Sequence, residues 1–204
     1  MSDVAAVFTQ IFQQHLWGSE SRSGIGSTPQ YTKWVSEGLS YVIRELRIGH
    51  VLDIPCGDGV WIRPIAESLG IEYHGADIVP DLVNLNASHW PQNEWHVFDI
   101  CTSDLPCVDL IFVRDCLVHL PLDLVFQALR NIQRSGSEYL MMTTFPGIPE
   151  GNTECGIGSW RRLDFQAPPF RLPPPLLLVN ECRDGPSLAQ DKSLGVWRPE
   201  EFRL

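Results

Sequence analysis

The chain has 204 residues, 25 acidic and 15 basic side chains, a formal charge of −10 and a pI near 4.9, with lysine only at Lys33 and Lys192. That balance provides no basic footprint for a polyanion and excludes nucleic acid and anionic membrane surfaces as partners. An apolar fraction of 44%, with seven Trp and nine Phe, fills one sizeable core, so 1–204 reads as a single domain.

In chain order, the stretch 17–27 is Gly/Ser-rich around an aromatic anchor, and this composition suits either a lid or a disordered arm. A helix is expected over about 31–47, ending near Gly49, then a strand over 50–54. A Gly-rich turn at 55–59 opens a helix running to Leu69 with Gly70 as its C-cap. Strands follow at 72–78, 95–100, 108–113 and 139–145, with a short helix after Pro80 and an amphipathic helix over 121–134. Candidate late strands lie at 176–180 and 194–198. Nine of the 16 prolines fall at or after Pro146, so the last third is irregular where the first two thirds are regular.

No run approaches the roughly 20 apolar residues of a membrane span, and the first residues lack the basic flank of a signal peptide. The expected location is cytoplasmic. Six cysteines without a CxxC pair read as reduced, mostly buried thiols. Five strands separated by helices describe an α/β fold with an open, mostly parallel sheet, whose ligands sit at the carboxyl ends of the strands.

Four aspartates, Asp53, Asp77, Asp99 and Asp115, stand at or just beyond strand ends. Together they surround one crevice; singly, each is equally well read as a turn or cap residue. The loop after the first strand carries Gly57 and Gly59, where a ligand can approach the backbone closely. It does not fit G-x-G-x-x-G, because Pro55 and Ile62 occupy glycine positions, and Asp53 would repel a pyrophosphate while suiting a cation. A nicotinamide dinucleotide site is therefore disfavoured. Asp77, 24 residues on, stands where an acidic side chain accepts from ribose hydroxyls.

These segments resemble the class I, Rossmann-like S-adenosylmethionine-dependent methyltransferases. Within them the chain is similar to a small bacterial group resembling sugar O-methyltransferases. The shared marks are Trp17-Gly18-Ser19-Glu20-Ser21, Gly24-Ile25-Gly26-Ser27, Leu52-Asp53-Ile54-Pro55-Cys56-Gly57-Asp58 and Gly75-Ala76-Asp77-Ile78-Val79. Further along come Arg114-Asp115-Cys116-Leu117-Val118-His119-Leu120, Thr144-Phe145-Pro146 and Asp191-Lys192-Ser193-Leu194-Gly195. The resemblance implies helices on both sheet faces, late strands partly antiparallel, and S-adenosylmethionine as cofactor. It divides the domain into a lid segment at 1–30, a cofactor core at 31–145 and a Pro-rich acceptor side at 146–204. It also implies that Asp53 and the loop through Pro55, Cys56, Gly57 and Gly59 face the methionine end. Asp77 takes the ribose, Ile78 and Ile100 the adenine ring, Asp99 the adenine amino group, and Arg114 an acidic group or Asp115.

Asp115 and His119 are four residues apart, which on a helix places both on one face. His119 is the candidate general base for a hydroxyl, oriented by Asp115; alternatively, Asp115 caps the segment and His119 is a satisfied histidine. Trp17, Ser19 and Arg22 from the lid, and Trp160 and Arg161 with the 168–175 proline run, are candidate acceptor-side groups, or else packing; Trp34 and Trp197 read as core. The expected activity is methyl transfer to a small polar acceptor, a carbohydrate hydroxyl in first place, as a monomer or homodimer. Methylation of an amine or carboxyl, or a cofactor-binding module without activity, are the alternatives. A divalent metal at Asp115 has no complete ligand set in the sequence.

Overall fold

The runs at 51–53, 110–113 and 139–144 are apolar almost without alternation, the pattern of strands covered on both sides, and they form the centre of the sheet. The structure is a computed structural model describing residues 3–18, 21–181 and 191–204. Its seven strands are β1 (His50–Asp53), β2 (Glu72–Asp77), β3 (Glu94–Val97), β4 (Leu110–Val113), β5 (Tyr139–Thr144), β6 (Leu177–Asn180) and β7 (Ser193–Trp197). Their order is β3-β2-β1-β4-β5-β7-β6. The neighbours among β1 to β5 are parallel, and β7 runs antiparallel to both β5 and β6. The expected open, mostly parallel α/β sheet with late antiparallel pairing is therefore present.

Successive side chains of a strand point to opposite faces, and here both faces are apolar. Leu52, Ile111, Val113, Leu140 and Met142 pack with Val125, Ala128, Leu129 and Ile132 of helix α5 (Leu122–Ser135). Val51, Leu110, Phe112 and Met141 pack with Val35, Leu39 and Val42 of α2 (Pro29–Glu45) and Ala66 of α3 (Arg63–Leu69). Each such fully buried side chain contributes about 1.5–3 kcal/mol. The punctuation is as the sequence implies: Pro29 starts α2, and Gly70 (φ 64°) and Gly136 (φ 72°) close α3 and α5 in the left-handed region. Helix α4 (Pro80–His89) fills the β2 to β3 connection.

Three features depart from the reading of the sequence. An N-terminal helix α1 (Asp3–Gln13), not expected from the sequence, occupies the first part of the 1–30 lid segment, and Phe12 from it packs on Val79 and Leu82. β3 stops at Val97, so Asp99 and Ile100 lie in the loop that follows, and 98–109 contains neither helix nor strand. The Pro-rich segment contributes to the core through a few apolar anchors: Leu163, Phe165, Phe170 and Leu172 are buried on the α5 face, covering it without a helix, while most of the residues around them are half-buried or exposed. Trp197 is fully buried and donates to Pro173 O at 2.8 Å, whereas Trp34 is only half-buried beneath the Lys33 ammonium. Among the described residues no helix is long and apolar enough to cross a membrane.

Candidate active site

β1 lies between β2 and β4 and parallel to both, so the chain reverses direction across the sheet there and a crevice opens at the carboxyl ends of these strands. It holds a cavity of about 430 Å³. Asp53 ends β1 almost fully buried, and Tyr73 donates its hydroxyl to Oδ2 at 2.8 Å. Burial pushes the Asp53 carboxyl up to about 8, more than the tyrosine bond offsets. After the cis Ile54–Pro55 peptide, Gly57 sits at φ +55°, and a Cβ there would run into the Ser23 side chain. Its N–H donates to Asp77 Oδ2 at 3.2 Å, and Val79 N–H donates to Oδ1 at 3.0 Å. Burial nevertheless raises the Asp77 carboxyl to about 6. Asn86 of α4 locks the same loop by donating to Gly57 O at 2.7 Å.

The segment before α2 closes the cavity from above. Ser21 donates to Asp58 Oδ2 and Asp58 N–H donates to Ser23 Oγ, both at 2.8 Å. Trp17 lies 4.8 Å from the His119 ring and meets Phe8 edge-on, while the Arg22 guanidinium sits 5.2 Å over Phe12. Arg114, buried at the end of β4, donates to Gly26 O at 3.0 Å and to Glu181 Oε2 at 2.7 Å. Lys192 completes an alternating charge cluster, with Nζ 2.6 Å from Asp115 Oδ2 and 3.4 Å from Glu181 Oε1.

Asp115 and His119 both line the cavity, but not as a helical pair. Asp115 takes a left-handed conformation (φ 51°) with its N–H on Thr143 Oγ1, and a 3-10 turn, Leu117–His119, follows. Burial alone would raise the Asp115 carboxyl; Lys192 and Arg114 outweigh it and hold the group at about 2. The group that orients His119 is the Ser159 carbonyl, 2.9 Å from Nδ1. A carbonyl only accepts, so Nδ1 carries the proton and Nε2 is the basic atom. Burial lowers the His119 pKa below its ordinary value, so the imidazole is neutral near pH 7.

Of the residues singled out from the sequence, Asp53, Pro55, Cys56, Gly57, Asp77, Ile78, Asp99, Ile100, Arg114, Trp17, Arg22 and Trp160 line this cavity together with Asp115 and His119. Gly59 does not: at φ +61° it abuts the Trp95 ring, so its missing side chain serves packing. Nor does Arg161, which is buried and donates to the carbonyls of Thr153, Leu117 and Leu120, bracing the turn beneath His119. None of the 168–175 run lines the cavity either: Phe170 and Leu172 are buried in the core, and Pro168, Pro169, Arg171 and Pro174 are exposed. Ser19 and Cys182 lie outside the described residues; the five described cysteines are free. The sequence reading missed Phe8 and Phe12 of α1, Trp61, Tyr73 and Glu181, and gave no role to Phe145 and Lys192, which stand in the shared marks. The apolar spacing of α1 and the rarity of lysine in so acidic a chain were the available signals.

Residues 51–136 match the sequence model of a methyltransferase domain. The N-methyltransferase NodS from Bradyrhizobium japonicum WM9, solved with S-adenosylhomocysteine, superposes with a TM-score of 0.64 over 95% of this chain and 99% of its own, at 15% identity. The chain has the Rossmann-like methyltransferase fold. Burkholderia thailandensis 1,6-didemethyltoxoflavin-N1-methyltransferase, with 1,6-didemethyltoxoflavin and S-adenosylhomocysteine bound, gives a TM-score of 0.63 at 14% identity, covering 96% of this chain and 86% of that one. The methyltransferase domain of bacterial CtHen1 gives 0.61 at 12% identity, covering 82% and 98%. No curated protein matches the chain by sequence.

Proposed function

We propose that the protein is an S-adenosylmethionine-dependent methyltransferase acting on a hydroxyl of a small acceptor, with carbohydrate hydroxyls as the leading class. The observation that carries the cofactor reading is Asp53: a buried carboxyl, protonated below about pH 8, facing the cavity beside a loop whose glycine leaves room for a ligand. Ionising such a group is costly without a cation opposite, so a cationic ligand end is what its charged form would favour. The methyltransferase-domain match and the S-adenosylhomocysteine in two neighbours of the same fold support the same cofactor. When bound, that cofactor supplies an electrophilic methyl group on a sulfonium.

The chain's own groups then divide the work. Asp53 meets the cationic methionine end. Asp77 would accept from the ribose hydroxyls, Ile78 and Ile100 would meet the adenine ring, and Asp99 would accept from its amino group. Arg114 holds the 21–27 segment down through Gly26, excluding water. His119 Nε2 accepts the proton of the acceptor hydroxyl, with the Trp17 ring against the imidazole at 4.8 Å and a 30° tilt. Alignment of the acceptor with the methyl group supplies much of the acceleration. Asp115 is neutralised by Lys192, which places an ammonium rather than a divalent ion against that carboxylate.

The aromatic wall of Phe8, Phe12, Trp17, Phe145 and Trp160 favours one second reading, because such faces stack on planar heteroaromatics as readily as on sugar rings. N-methylation of a planar metabolite is that reading. Calorimetry with S-adenosylmethionine, S-adenosylhomocysteine and NAD tests the cofactor, and selective NAD binding would overturn the proposal. Transfer of a labelled methyl group to a panel of sugars, glycosides and heteroaromatic amines separates the two acceptor classes.

A further inference from the structure

Away from the cavity, the first residues of β1, β2 and β3 are His50, Glu72 and Glu94. The register sets His50 beside Glu72 and His74 beside Glu94. Side chains two apart share a face, so Glu72 and His74, and Glu94 and His96, form one polar strip with His50. It lies on the face that carries Leu52 and Ala76, the α5 side. No helix lies between β3 and β4 to cover that edge. Exposed His–Glu pairs stabilise a surface little, so ion pairing alone is a weak reason for three histidines and two glutamates here.

We propose that this strip is a binding site for one divalent transition-metal ion of the zinc class, seated on His74, Glu94 and His96. Glu94 Oε2 lies 3.7 Å from His74 Nε2 and 3.5 Å from His96 Nε2. Ligand atoms about 2.0–2.2 Å from a tetrahedral ion are roughly 3.3–3.5 Å apart, so the triad needs only small movements to close on zinc. His74 Nε2 is also 3.0 Å from Glu72 Oε1, so a second carboxylate adjoins the shared histidine. His96 stacks flat on Phe98, at 4.9 Å and 7°, which fixes its imidazole plane. The His50 ring lies edge-on to His74 at 4.3 Å, with a buried Nε2 that has no hydrogen-bond partner. His50, Glu72 and His74 form an overlapping triad through the shared His74.

Imidazole and carboxylate together suit zinc, nickel or copper rather than magnesium or calcium. The two glutamates supply the two negative charges that a divalent ion neutralises. The seat is at the strand starts, and His74 precedes Asp77 by three residues, about 10 Å along the strand. The ion therefore clips β2 to β3 and takes no part in methyl transfer.

The test uses the whole chain without a histidine tag, thiols blocked, titrated with zinc chloride against a chromophoric chelator. One equivalent bound with a micromolar or tighter Kd, weakened at least 30-fold in His74→Gln with S-adenosylhomocysteine affinity unchanged, is the expected result. If His74→Gln fails to fold, His96→Gln at the sheet edge must weaken zinc at least tenfold. Absence of binding, or binding that neither variant changes, overturns the proposal. Loss in His50→Gln with full binding in His96→Gln overturns the choice of triad.

Discussion

Burial shifts Asp53 and His119, the two groups on which the proposed chemistry rests, in opposite directions and leaves both uncharged near pH 7. Asp53 keeps its proton up to about pH 8 because it is buried; an ammonium seated opposite it drives the proton off. Affinity for S-adenosylhomocysteine is therefore expected to rise from about pH 6 to about pH 8, approaching tenfold per unit, and to level off above. Calorimetry at pH 7 in two buffers of different ionisation enthalpy should find close to one proton released, and Asp53→Asn should abolish the release and weaken binding at least tenfold. In the ligand-free protein the sign reverses: the fold holds a proton that the unfolded chain sheds near pH 4, so this group's contribution falls as pH rises from about 4 to 8. Asp115 acts the other way, stabilising above its ordinary range and losing that contribution as pH falls through about 2. His119, neutral because burial lowers its pKa, is a base across the neutral range. His119→Ala should lower kcat at least 100-fold while S-adenosylhomocysteine affinity stays within a few-fold. Activity retained from about pH 6 to 9 in that variant would remove His119 from the mechanism.

The strand-to-helix loop and the 21–27 segment work as one unit. Gly57 is the contact point, left-handed and with the Ser23 side chain against the place a Cβ would occupy. Gly57→Ala therefore adds backbone strain of about 1 kcal/mol and pushes Ser23 away from the Asp58 N–H. The expected outcome is a fall of at least tenfold in S-adenosylhomocysteine affinity with only a few degrees lost in Tm, read by calorimetry and thermal unfolding on the same preparation. Unchanged affinity would show that the segment is not coupled to the loop. Elements were also where the sequence was legible: the βα alternation, the Gly70 stop and the strand-end aspartates are local patterns with a period or a cap. The pairing of Asp115 with His119 was misread because four-residue spacing implies one face only on a helix, and the chain makes a left-handed residue and a 3-10 turn there.

For the molecule as a whole, β7 and the Pro-rich segment stabilise each other through Trp197, which is fully buried, meets Phe165 edge-on and donates to Pro173 O. Trp197→Ala should cost about 3–5 kcal/mol, and Trp197→Phe less, both measured by urea unfolding; a loss under 1 kcal/mol would contradict that role. The sequence by itself determined the sheet class, its central strands and the residues at their carboxyl ends, because burial periodicity and turn chemistry are local. It did not determine that α1 walls the cavity, that Arg161 braces a turn instead of meeting a ligand, or that Glu181 joins Arg114 and Lys192 joins Asp115 across 67 and 77 residues of chain. Those depend on which distant segments the sheet order brings together, and side chains in an irregular, proline-rich stretch have no period from which their direction is readable. The strand starts illustrate the same division: each histidine is plain in the sequence, but only the parallel register of β1, β2 and β3 gathers them with Glu72 and Glu94 into two overlapping triads.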